Sequence, residues 1–103
     1  MDELEYRVER SEGITRVVLH GELDMHLSPG LRRMFERELA SASSEVVVDL
    51  GAVPFIDSSV IATLIATLKR VRAAGGKLRV ENCQPAVRDT FELTRLTESF
   101  GIR

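Results

Sequence analysis

The chain has 103 residues, of which 44% are hydrophobic and 29% charged. That is one domain of ordinary globular composition, long enough to bury a core without disulfide staples, and it argues against disorder. Its 14 basic and 16 acidic side chains leave a net charge of −2, which provides no basic footprint for DNA, RNA or an anionic membrane surface.

Met1-Asp2-Glu3-Leu4-Glu5 is acidic and has no apolar run, so the start does not read as a signal peptide. Leu4, Tyr6 and Val8 then alternate with charged neighbours, the pattern of a half-buried strand. Ser11-Glu12-Gly13 is a turn signal, and Ile14 to Leu19 is a second strand, giving an antiparallel hairpin. Ser28-Pro29-Gly30 opens a helix, with serine as the expected cap and proline suited to the first turn. Leu31, Met34, Phe35, Leu39 and Ala42 recur at helical spacing, and Ser41 to Ser44 end that helix.

Glu45 to Leu50 is a short continuous apolar run, expected to be a central strand buried on both faces. A connection from Gly51 to Asp57 leads into a long helix reaching about Ala74, stopped by Gly75-Gly76. Its most apolar part, Val60 to Leu68, is about half the length of a bilayer span. Lys77 to Val80 is a further strand, Pro85 opens a third helix, and Ser99 to Ile102 is a candidate short strand. The expected fold is therefore a single α/β domain over residues 1–103. It has an N-terminal hairpin followed by alternating β and α elements, a mixed sheet of four to five strands, and three to four helices.

The informative stretch is Val53 to Ile61, between the central strand and the long helix, where ligands and partners of open α/β sheets gather. Asp57, Ser58 and Ser59 are all good cap residues for a helix whose first N–H groups and dipole favour negative charge. A phosphoserine there would be tolerated, and a plain helix cap fits the same residues. Along the helix, Ile61, Leu64, Ile65, Leu68 and Val71 fall on the core side, whereas Ser59, Ala62, Thr63, Ala66, Arg70 and Ala73 fall opposite. That small, nearly uncharged face suits either a docking partner or a neighbouring helix of the same domain.

These segments together resemble the STAS family, specifically its single-domain anti-sigma factor antagonists. Gly21-Glu22-Leu23-Asp24 looks like the family's loop motif. Val47-Val48-Asp49-Leu50 followed by Phe55-Ile56-Asp57-Ser58-Ser59 looks like its signature strand and turn. Gly75-Gly76-Lys77-Leu78 resembles the turn into the next strand, and Pro85-Ala86-Val87-Arg88 with Phe91 and Leu96 resembles the last helix. The chain departs from the family at Val60 and Arg95, both places where glycine is common. The resemblance implies that an anti-sigma serine kinase binds the unphosphorylated domain, releasing its sigma factor, and phosphorylates Ser58 to end the complex. A serine phosphatase would reset it. Asp24, Asp57, Ser59, Val60, Ala62, Thr63 and Ala66 would then meet the partner. The domain would act as a cytoplasmic monomer without cofactor or metal and without enzymatic activity. The alternative within the family is an accessory subunit of a transport ATPase that lacks the phosphate switch.

Other chemistry finds less support. His20 and His26 flank the Gly21 loop, but the Gly-x-Ser-x-Gly turn of a serine hydrolase is missing, and their spacing to the aspartates matches no standard metal site. No phosphate-binding Gly-rich loop occurs. A receiver domain would need an acidic pair after its first strand, where this chain has a hairpin. The single thiol, Cys83, excludes an internal disulfide, fits a reducing compartment, and is expected half-buried near a strand end.

Overall fold

Residues 3–39 and 45–102 are described by a computed structural model. Strands β1 (Glu5–Ser11) and β2 (Ile14–His20) form the hairpin, antiparallel from Glu5 opposite His20 to Ser11 opposite Ile14. Helix α1 (Ser28–Glu38) follows, then β3 (Glu45–Ala52), α2 (Ser58–Ala73), β4 (Lys77–Glu81) and α3 (Pro85–Leu93). The strands make one mixed sheet in the order β1-β2-β3-β4, with β3 parallel to both β2 and β4. The expected end of α1 around Ala42 and Ser41 to Ser44 lies outside the described residues.

Strand alternation divides the sheet into two unlike faces. Val17 and Leu19 of β2, Val46, Val48 and Leu50 of β3, and Leu78 and Val80 of β4 point one way. They share one core with Leu31, Met34 and Phe35 of α1, Val60, Ile61, Leu64, Leu68 and Val71 of α2, and Val87 and Phe91 of α3. On the opposite face, Arg16, Val47 and Arg79 stand side by side across three strands, and Val18, Asp49 and Glu81 form the next row. Arg16 bonds Asp49 and Glu81, each at 2.9 Å, while Arg79 bonds Glu81 and Glu45. The strand expected to be buried on both faces is thus covered by helices on one side only. On the other, Val47 is fully buried between the two arginines, whose aliphatic stems can lie over it while their heads pair.

Two local expectations change. Ser28 is the first residue of α1 and makes no capping bond; Leu27 is the cap residue. The preceding turn has already begun to close, since the Asp24 carbonyl accepts the N–H groups of Leu27 and Ser28 at 3.0 and 3.1 Å. The segment after Ser99 is not a strand, although Phe100 contributes one ladder-like bond by accepting the Val80 N–H at 2.8 Å. Arg95 follows the Thr94 cap of α3. It adopts φ +59°, the left-handed conformation that usually recruits glycine, while the Leu96 N–H closes back on the Phe91 carbonyl at 2.8 Å. The Gly75 stop occurs as expected, with φ +85° and the Gly76 N–H on the Val71 carbonyl at 2.9 Å.

Candidate functional site

Two strand ends build the site. Beyond β2 and β3 the chains keep running side by side: the Gly21 N–H bonds the Ala52 carbonyl at 3.0 Å and the Leu23 N–H bonds the Phe55 carbonyl at 2.9 Å. Leu23 and Ile56 pair in parallel and are both buried, so they anchor the two segments in the core. The next residue on each segment is an aspartate, Asp24 on one and Asp57 on the other. The sequence motifs around Asp24 and Asp57, 33 positions apart, are thereby brought to one end of the sheet.

Asp57 is the cap of α2. Its extended backbone leaves the helix, and its Oδ1 accepts the N–H groups of Ser59 and Val60 at 3.0 and 3.2 Å. The same oxygen accepts the Ser59 hydroxyl at 2.6 Å. Burial opposes ionisation of Asp57, but the Ser59 hydroxyl and the N–H groups of Val60, Met25 and Ser59 outweigh it and hold the carboxyl below its ordinary value. The paired Leu23 and Ile56 tie the Asp24 loop to the helix start. Asp24 itself is half-buried, and its Oδ1 accepts the His26 N–H at 2.9 Å.

The two serines are thus unlike. Ser59 is half-buried, its hydroxyl committed to Asp57 and its carbonyl accepting the Thr63 hydroxyl at 3.0 Å. Ser58 is exposed in the first turn, and among the described residues its hydroxyl has no hydrogen-bond partner. Neither imidazole is hydrogen-bonded to it: His26 is exposed, and His20 is half-buried beside a groove lined by Glu3, Glu5, Glu22 and Asp24. Asp24 of that groove lies at the same end of the sheet as Ser58.

Of the remaining expected contacts, Ala62 and Ala66 are exposed and Thr63 is half-exposed, so α1 leaves this part of the α2 face open. Lower down, Arg70 reaches Glu36 of α1 at 3.6 Å. Val60 is a correction. It is fully buried in the core, because the residue three places after the cap falls on the inward side of α2, and its side chain is no surface contact. Two exposed residues at the site were not singled out from sequence, Met25 at 65% and Phe55 at 48% exposure. The available signal was a large apolar residue inside each otherwise polar or proline-bearing turn. Cys83 is half-buried as expected, and burial raises its pKa above the ordinary thiol value.

Residues 5–103 match the STAS domain. The chain belongs to the STAS family. Among its relatives is the anti-sigma-B factor antagonist of Bacillus subtilis, 28% identical over 95 residues, covering 92% of this chain and 86% of that protein. An anti-sigma F factor antagonist from Paenibacillus polymyxa is likewise 28% identical, over 90% of this chain and 80% of its own length. The crystal structure of an anti-sigma factor antagonist from Mycobacterium paratuberculosis superposes with a TM-score of 0.87 at 30% identity, covering 97% of this chain and 85% of that one. The mixed four-stranded sheet with three helices is therefore the STAS fold, with Asp57 and Ser58 at the start of its second helix. Among the described residues, no helix is long and apolar enough to cross a membrane.

Proposed function

We propose that this STAS domain is an anti-sigma factor antagonist whose unphosphorylated form binds an anti-sigma serine kinase and whose phosphorylation at Ser58 ends that complex. The observation that carries this reading is the division of labour at Asp57-Ser58-Ser59. One hydroxyl is locked to the capping carboxylate, and the other stands exposed at a helix start. The names of its relatives support the antagonist role. In the transfer, the Ser58 oxygen bonds the γ-phosphorus of ATP, the bond from that phosphorus to ADP breaks, and the hydroxyl proton leaves to the kinase or to water. The kinase supplies nucleotide and metal, so the antagonist has no chemistry or cofactor of its own. A serine phosphatase hydrolyses the ester and restores the cytoplasmic, monomeric antagonist.

The exposed Ala62 and Ala66 allow close approach of a partner backbone along α2. A dianion introduced at Ser58 would have to be desolvated in that interface beside Asp57 and the acidic Asp24 groove, at a cost of several kcal/mol without an arginine to receive it. Incubation with the anti-sigma serine kinase and ATP, followed by peptide mass spectrometry, tests the assignment. Phosphate is expected on Ser58 and absent from Ser58→Ala. Phosphate found only on Ser59, or nowhere, overturns it.

A further inference from the structure

The geometry points to Met25 and Phe55 as the apolar anchors by which the kinase holds this domain, separate from the serine that switches it. This rests on the reading of Ser58 as the kinase's target. Four large hydrophobic residues are exposed among the described residues, Ile14, Met25, Phe55 and Leu93. Two of the four lie on the paired segments that converge on Asp57. Met25 lies two residues beyond Leu23, whose partner Ile56 adjoins Asp57, and Phe55 precedes that aspartate by two residues.

Any protein that delivers a phosphoryl group to the Ser58 hydroxyl must cover them. Phe55 is three residues from Ser58, so their Cα atoms are at most about 11 Å apart. Met25 lies two residues beyond Leu23, which pairs with Ile56 two residues before Ser58. An ordinary protein interface covers about 800 Å² per partner, a patch of roughly 16 Å radius, and both residues fall inside one centred on Ser58.

Both anchors are also held in place before binding. The Phe55 carbonyl accepts the Leu23 N–H, its neighbour Ile56 is buried, and Pro54 restricts the chain just before it. Met25 lies between the buried Leu23 and the partly buried Leu27, whose N–H closes back on the Asp24 carbonyl at 3.0 Å. Exposed aromatic residues on a fixed backbone make strong interface anchors, and the unbranched thioether of methionine fits itself to an apolar pocket. The kinase surface facing this end of the sheet should therefore carry an apolar recess next to its nucleotide site.

The test is titration calorimetry with the purified serine kinase that phosphorylates Ser58, using the double variant Met25→Ser/Phe55→Ser. Binding of the unphosphorylated domain is expected to weaken by about 100-fold, the scale of a lost hot spot. The KM for phosphorylation of Ser58 should rise with kcat unchanged, because uniform binding and not the reacting group has been altered. Leu93→Ser, which removes an equally apolar residue at 86% exposure on another part of the molecule, should leave both values as they were. If the double variant is not folded by its amide spectrum, Met25→Ser alone should still weaken binding about tenfold. Unchanged affinity in the variant that is folded overturns the anchor assignment, as does an equal loss in Leu93→Ser. Ser58→Asp in the same titration separates the two readings: if it weakens binding while Met25 and Phe55 do not matter, only the anchors fall, and if it too binds normally the switch falls first.

Discussion

Asp57 gathers three donors on one carboxylate oxygen, so its removal should be felt in stability and in the choice of serine. Asp57→Ala abolishes the cap of α2 and should cost about 1–2 kcal/mol. For a domain this size that is roughly 5–10 °C in Tm. Asp57→Asn keeps an acceptor oxygen at the same place and should lose only a fraction of that; equal losses in the two variants would show that the charge, not the hydrogen-bonded cap, is what matters. In Asp57→Ala the Ser59 hydroxyl also loses its acceptor. A second residue invites the opposite change. Arg95 is exposed and holds φ +59°, a conformation that costs an L-residue about 1–2 kcal/mol and glycine nothing sterically. Arg95→Gly should raise stability by about 1 kcal/mol in urea unfolding, and a loss would mean that the arginine head makes a contact worth more than the strain.

At the level of the elements, the outer sheet face converts charge into pH dependence. Burial works against ionisation of Asp49, but the Gly51 N–H, Asn82 and Arg16 bond it and lower its pKa from the ordinary 3.8. Burial works against Glu81 as well, and Arg79 and Arg16 lower it from 4.5. Depressed folded values mean that the stabilisation is complete above the unfolded values and drains away as pH falls through the folded ones. Stability should thus be level near neutrality and decline below about pH 4.5. Asp49→Asn should lie below the wild type by about 1 kcal/mol at pH 7 and converge with it in acid; melting curves that stay parallel down to pH 2 would contradict this. This face also marks what the sequence could disclose. Strand β3 was legible from its apolar run, and α2 from its periodicity and its Gly75 stop. That Val47 would be buried by flanking arginines instead of a helix depends on register across three strands, which no local pattern encodes. The same limit applies to Val60: its inward position follows from where α2 begins, and the choice among Asp57, Ser58 and Ser59 as cap was open until the backbone settled it. Met25 and Phe55 became visible as a pair only once Leu23 and Ile56 were joined.

For the molecule as a whole, the question is whether a phosphate on Ser58 acts through the fold or only at the surface. The helix start favours a dianion through its dipole, but Asp57 already occupies the N–H groups of Ser59 and Val60. Asp57 and the nearby acidic groove repel the phosphate, so the favourable and unfavourable contributions oppose one another. The anchoring of this end, through Leu23 and Ile56, lies in the core and carries no charge that the phosphate could disturb. Phosphorylation should therefore leave the melting temperature within a few degrees of its starting value while removing the partner. Ser58→Asp is expected to bind the kinase about 150-fold more weakly, corresponding to about 3 kcal/mol, and to melt like the wild type. Ser58→Ala should keep full affinity and accept no phosphate. Amide spectra of the free domain give the sharpest reading. Shifts confined to the Asp24 loop and the first turn of α2 fit a charge that acts where it is placed. Shifts spreading through β3 and β4 would mean that the sheet has a second arrangement and that release of the partner is conformational.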